Sequence, residues 1–330
     1  MAMELELVHI LASGTFGWVC VVNDRSSGQQ LAAKVLRAEH VANPKAVARM
    51  RDEARLLAHL DHPHIVKVFG MEEIDGRPVL LLEYVRGVAL DELIRSYPGV
   101  VPAAEACEMV RQAHEALHTA WQMPSRDTGR AMRVIHRDIK PGNLILSNDG
   151  DLKVLDFGIA HGEMAGKESQ TVSMVLGAHG YLAPERLDGE ADRIEGDVFA
   201  MGHVLYELLS GRFLKLSLQR RQHDRRLEVG LAELAPMGAD ADTAQRLRGL
   251  LRGMMAYDPD QRPDHAAVIG QVASIMARAR WSPNLPGWAR SHVLPLSRAH
   301  VSTPAKNHPQ YSELRFIESP KKAGWLPWRW

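Results

Sequence analysis

Cysteine is scarce: the 330-residue chain has two, Cys20 and Cys107, with no metal-binding spacing and too few for a disulfide framework. A reducing cytoplasm is therefore the expected location. No run of eighteen apolar residues occurs, so no membrane span is expected. The opening MAMELELVHI lacks the basic start and apolar stretch of a signal peptide. An excess of charge of one sign is missing as well. Forty Lys and Arg balance 40 Asp and Glu, and nothing global points to nucleic acid or an anionic membrane as the partner. No internal repeat is found. What is present, 45% apolar and 24% charged residues, is the composition of an ordinary globular enzyme, long enough for one large domain or two lobes.

The chain is organised around Val134 to Ala160, VIHRDIKPGNLILSNDGDLKVLDFGIA. Val134-Ile135, Leu144-Ile145-Leu146 and Val154-Leu155 read as short buried strands, with a hairpin turn at Asn148-Asp149-Gly150 between the last two. Two acids and an asparagine sit in that frame. Phosphoryl transfer needs an acceptor for a hydroxyl proton and oxygen ligands for a divalent cation on the nucleotide phosphates, and Asp138, Asn143 and Asp156 supply those groups.

The H-R-D-x-x-x-x-N pattern of HRDIKPGN, followed by D-F-G eighteen residues after Asp138, resembles the catalytic core of the eukaryotic-type (Hanks-type) serine/threonine protein kinases, most of all their bacterial members. The resemblance implies an α+β bilobal fold, a small β-rich N-lobe with one key helix and a larger helical C-lobe. It further implies Asp138, Lys140 and Lys34 as catalytic residues, Asn143 and Asp156 as metal ligands, and ATP with Mg²⁺, or Mn²⁺ in its place, as cofactors. Protein Ser/Thr hydroxyls are the implied acceptors, with autophosphorylation. Two rival classes stand beside it. A small-molecule phosphotransferase would lack the A-P-E segment and Lys140, and a pseudokinase scaffold would have lost the lysine or an acid.

Residues ahead of the motif test this reading. Glu6 to Val22 alternates apolar residues about a glycine-bearing turn, a hairpin that could lie over phosphates because glycine lets the backbone approach an anion. It departs from the family's G-x-G-x-x-G-x-V at Ala12. Leu31 to Leu36 reads as a buried strand carrying Lys34, whose ammonium needs an anion. With Asn43 as cap and Pro44 in the first turn, a helix is predicted to about Leu60, with Val47, Met50, Ala54 and Leu57 on its apolar face. Glu53 lies on that face and is the predicted partner of Lys34. In the family this pair orients the lysine onto the α- and β-phosphates.

Two more strands are predicted at Ile65–Phe69 and Val79–Leu82. By the resemblance, Leu82 is the gatekeeper and the backbones of Glu83 and Val85 meet adenine. The implied ATP-binding set is Leu11, Ser13, Gly14, Thr15, Phe16, Gly17, Val19, Ala32, Lys34, Glu53, Leu82, Glu83, Val85 and Ile145.

Downstream of the hinge a helix is predicted from Ala103 to Gln122. Within it His114-Glu115-Ala116-Leu117-His118 matches the H-E-x-x-H zinc pattern, but no third histidine follows at the expected spacing. Met123 to Arg133 reads as a loop. His161 to Gly177, with Ser169, Thr171 and Ser173, resembles an activation segment closed by Ala183-Pro184-Glu185. In the family Arg137 receives a phosphate from that segment, Glu185 pairs with Arg262, and Asp197 bonds the catalytic-loop backbone. Ala178 stands where a threonine is usual. Arg220-Arg221 and Arg225-Arg226 are expected in a loop that is either solvated or a docking patch.

The expected divisions are 1–82 N-lobe, 83–86 hinge, 87–280 C-lobe and 281–330 a tail. That tail holds five of seven tryptophans, seven prolines and a net charge of +5. Its prolines argue against a long helix and its tryptophans for docking, on the chain's own C-lobe, on a protein partner, or on a membrane surface through Lys321, Lys322 and Trp325-Leu326-Pro327-Trp328-Arg329-Trp330. Catalysis is expected not to need it.

Overall fold

The structure, a computed structural model, describes residues 4–14, 17–125, 129–157, 178–189, 191–300, 311–314, 317 and 323–325. The chain divides into two compact units. The first comprises 1–61, 65–86 and 294–330, and the second 62–64 and 87–293.

The first unit is an antiparallel sheet with helices. Strands β1 (Leu5–Ser13), β2 (Gly17–Asp24), β3 (Gln30–Leu36), β4 (Val68–Ile74), β5 (Arg77–Glu83) and β9 (Ala323–Trp325) pair in the order β1-β2-β3-β5-β4-β9. The β1–β2 hairpin is where alternation predicts it. The fourth strand instead begins at Val68, since Ile65 and Val66 are buried before any ladder starts. The helix Pro44–Leu57 opens on Asn43, whose side chain accepts from Lys45 N, and it buries Met50, Ala54 and Leu57.

Period-two alternation gives the sheet two faces. Trp18, Cys20, Val22, Leu31, Ala33, Val35, Val79 and Leu81 share one of them, and Leu314 and Ile317 complete that core. Val19 opposite Lys34, and Ala32 opposite Leu82, lie on the other. Described residues of the last fifty pack into these units. Leu285, Ala289 and Val293 are buried, while Leu314 and Ile317 belong to the sheet's core and β9 pairs with β4 through Glu72 and Trp325, Glu73 and Gly324, and Ile74 and Ala323. A sixteen-residue helix, Leu285–His300, forms there despite its prolines. Pro286 occupies a first-turn position that needs no N–H, and Pro295 is carried inside.

In the second unit the small sheet β6 (Gly87–Ala89), β7 (Leu144–Ser147) and β8 (Leu152–Val154) carries the central motif. Gly150 makes the β7–β8 turn at φ 89°, a conformation that favours glycine. Val134-Ile135 form no strand and are half-buried. The N–H groups of the two residues that follow go to the side chain of Asp197 instead of a ladder. The helix Ile194–Ser210 is the unit's spine: every residue from Gly196 to Leu209 is buried, and Gly211 ends it in the left-handed conformation. Arg220–Glu233 is a helix, not a loop. Its arginines are exposed while His223, Leu227, Gly230 and Leu231 turn inward at helical spacing. Pro124 and Ala131 bridge the 123–133 segment into a small hairpin.

Candidate active site

The 136–143 loop is held by bonds among its own residues. Lys140 Nζ donates to Asp138 Oδ2 at 2.7 Å, and Asn143 Nδ2 donates to the same oxygen at 2.9 Å and to the Asp138 carbonyl at 2.7 Å. Asp138 is thus aimed by two donors on one oxygen. His136 Nε2 lies 2.7 Å from the Leu155 carbonyl, and Leu155 N donates to the Asn143 carbonyl at 2.9 Å. These two bonds join the loop to the chain entering Asp156. Phe157 packs 4.7 Å from the His136 ring.

Arg137 and Asp156 both take positive φ, 70° and 49°. For residues with a Cβ such conformations cost about 1–3 kcal/mol and persist only where the surroundings impose them. At Arg137 the surroundings are visible. Asp197 accepts from His136 N at 2.6 Å and Arg137 N at 2.9 Å, and Arg186 Nη1 donates to the Arg137 carbonyl. Burial pushes the Asp197 carboxyl above the usual range, and the two N–H donors pull it back.

Arg262 and Glu185 form a bidentate pair at 2.7 and 2.8 Å with essentially no exposed side chain. The other donors of Arg262 reach the carbonyls of Ala256, Tyr257 and Glu195, so a buried charge is fully hydrogen-bonded.

In the first unit Lys34 Nζ lies 2.8 and 3.1 Å from the two Glu53 oxygens. Leu82 is buried, and Glu83 N donates to the Lys67 carbonyl at 2.8 Å. Val85 is half-buried, as are Val19 in this unit and Ile145 in the second. Leu11, Ser13 and Gly14 are exposed, and Gly14 N bonds the Gly17 carbonyl at 2.9 Å. A Cβ at Gly17 would collide with the Val35 carbonyl, so the close approach of β2 to β3 requires glycine there.

Thr15, Phe16, Ser169, Thr171 and Ser173 lie outside the described residues. Within them, three residues that motif reading passes over stand out. Arg37 donates to the Gly14 carbonyl and to Ser13 Oγ, both at 3.0 Å, and covers Trp18. Arg186 and Asp192 surround Arg137, with Asp192 Oδ2 2.9 Å from Arg137 Nε and Oδ1 2.8 Å from Arg186 Nε. Their only sequence signal is charge next to A-P-E. His114 of the H-E-x-x-H pattern is fully buried with Nδ1 2.8 Å from His265 Nδ1, and burial depresses the pKa of both rings.

The donor set suits a divalent cation. Asn143 turns its Nδ2 to Asp138, which leaves its oxygen available to a cation, and Asp156 could bring a carboxylate. Hard oxygen donors this few suit a small cation that draws its other ligands from phosphate and water.

Comparison with known proteins agrees with this geometry. Residues 5–272 match the Protein kinase domain. The chain is 33% identical over 272 residues to the serine/threonine-protein kinase PknB of Mycolicibacterium smegmatis, covering 79% of this chain and 41% of that protein. It is 31% identical over 329 residues to the probable serine/threonine-protein kinase PknB of Corynebacterium glutamicum, covering 96% of this chain and 46% of that one. Against the serine/threonine-protein kinase PrkC of Bacillus subtilis it is 33% identical over 207 residues, 63% of this chain and 30% of that protein. The chain thus spans less than half the length of these relatives. With the central motif, the two-sided sheet and the helical second unit in hand, the chain belongs to the protein kinase family and has its α+β fold of a β-rich N-terminal lobe and a larger helical C-terminal lobe.

Proposed function

We propose that the chain transfers the γ-phosphoryl group of ATP to serine and threonine hydroxyls of proteins, itself among them, with Mg²⁺ as the working cation and Mn²⁺ as a substitute. ATP and a divalent metal are the family's general requirements; the choice of metal is part of the proposal. The observation that carries it is the Asp138 carboxylate held by Lys140 and Asn143 on a single oxygen, an arrangement suited to orienting a hydroxyl and taking its proton. Lys140 then offsets charge gathering on the transferred group. Lys34, oriented by Glu53, would contact the α- and β-phosphates. Asn143 and Asp156 would hold the cation, which supplies charge neutralisation on the phosphates.

Protein substrates are the partners this reaction implies, and the balanced net charge gives nucleic acid no attraction. The stretch 294–330 we read as docking on its own chain. The cytoplasm suits a reaction fed by ATP and the two buried free thiols. Among the described residues no helix is long and apolar enough to cross a membrane.

The test is transfer of labelled phosphate to a generic basic protein with Mg²⁺. Asp138→Asn is expected to lose about 10²–10⁴ in kcat while melting like the parent. Lys34→Ala and Asp156→Asn should each be inactive too. Parental turnover in the Asp138→Asn protein would remove that acid from its role.

A further inference from the structure

The residue immediately before Asp138 is held at its N–H, at its carbonyl and at its guanidinium. The Arg137 N–H donates to Asp197, its carbonyl accepts from Arg186, and its Nε forms an ion pair with Asp192 Oδ2 at 2.9 Å. Asp192 does double duty, since its other oxygen holds Arg186 at 2.8 Å, the same arginine that bonds the Arg137 carbonyl. One carboxylate therefore closes a ring through two guanidiniums and a peptide group. Its three members are mostly shielded, with side-chain exposures of 29% for Arg137, 19% for Asp192 and 16% for Arg186. An ion pair so placed is less screened than a surface pair.

The ring encloses a backbone held at φ 70°. Without an anion at its centre, Arg137 and Arg186 would repel one another. Arg186 would then have no reason to stay on the Arg137 carbonyl, and the peptide could relax toward negative φ, re-aiming Asp138.

We propose that Asp192 is a positioning residue of the catalytic loop. By pairing with Arg137 and Arg186 together it holds the Arg137 peptide in its positive-φ conformation and so keeps the Asp138 carboxylate in line for proton acceptance. The proposal rests on the kinase reading above. It assigns a role to a residue that no motif contains, and it means that Arg137 has an anionic partner supplied by the chain itself.

The test compares Asp192→Asn and Asp192→Glu with the parent, reading kcat, KM and amide hydrogen exchange of the 133–140 peptide. Asn keeps the shape and removes the charge; Glu keeps the charge on an arm one methylene longer. Asp192→Asn is expected to lower kcat about tenfold with KM for ATP within about twofold, because a small misplacement at the reacting group acts on the chemical step. Exchange of the 133–140 amides should rise about tenfold while the Ile194–Ser210 helix exchanges as before. Asp192→Glu should recover kcat to within about threefold of the parent.

A kcat for Asp192→Asn within twofold of the parent would overturn the proposal. So would a loss accompanied by equally faster exchange throughout the second unit, which marks a merely structural acid. Should Asp192→Asn not fold, Asp192→Glu carries the test alone, with a kcat loss of about threefold at unchanged KM expected and a change in KM alone refuting it. If the parent itself transfers no phosphate, the kinase reading fails. The exchange comparison then decides the clamp without it.

Discussion

Leu314 offers a sharp test of how far the end of the chain is part of the N-terminal sheet. Its side chain is fully buried in the cluster that includes Leu5, Leu7, Trp18, Cys20, Val35, Leu81 and Ile317. Leu314→Ala removes three carbons from that core, a change that costs about 2–5 kcal/mol where surroundings cannot collapse. Here one wall is a hydrogen-bonded sheet and the other is the short Tyr311–Leu314 helix, which can shift, so the lower half of the range, about 2–3 kcal/mol, is expected. Urea unfolding followed by tryptophan fluorescence reads it, since Trp18 lies in the same cluster. The exposed Val229 serves as control: Val229→Ala should stay within about 0.5 kcal/mol.

If Leu314→Ala changes stability no more than that control, the segment does not share the sheet's core and the argument fails. The same burial bears on a chain ending at Arg280. It would lose Leu285, Val293, Leu314 and Ile317, each contributing about 1.5–3 kcal/mol when buried, a sum that rivals a domain's whole stability. That truncation is expected to misfold or aggregate, whereas the sequence alone leads to the expectation that catalysis does not need residues 281–330.

His203 is fully buried, neither ring nitrogen has a hydrogen-bond partner among the described residues, and burial pushes its pKa down to about 3. The unfolded chain then binds the extra proton below its ordinary value near 6.5, so this histidine subtracts stability as pH falls from about 6.5 toward 3, roughly 2 kcal/mol by pH 5. His203→Phe, among Phe199, Phe213 and Tyr181, should flatten the acid side of the stability profile by that amount, and an unchanged slope between pH 7 and 5 would refute it. Ala178→Thr, which supplies the hydroxyl usual in the family, should raise kcat about fivefold at constant KM for ATP, the worth of one hydrogen bond of about 1 kcal/mol; a lower rate would show that the loop is already positioned without it.

Local chemistry explains what could be read in advance. Asn43, Pro44 and the spacing of Met50, Ala54 and Leu57 announce a helix start and its buried face, and Glu53 follows because it falls on that face. Asn148-Asp149-Gly150 announces a turn because glycine accepts its φ. Val134-Ile135 misleads, since an apolar pair looks like a strand only if its neighbours' N–H groups have a ladder to join, and here Asp197 takes them from sixty residues away. Asp192 and Arg186 carry no period and no motif, so their meeting with Arg137 is set by tertiary placement alone. Leu314 and Ile317 are hidden for the same reason: two apolar residues amid charges and prolines do not say which surface they cover.

That cover also sets a timetable for the newborn protein. Synthesis at about 5–20 residues per second separates β1 from Leu314 by roughly 15–60 s. Throughout that interval the sheet face with Cys20, Val35 and Leu81 lacks the Leu314 and Ile317 side chains that cover it. Strand pairing within β1–β5 takes far less time than that. The emerging lobe therefore carries an open apolar face until the last stretch of its own chain arrives to close it.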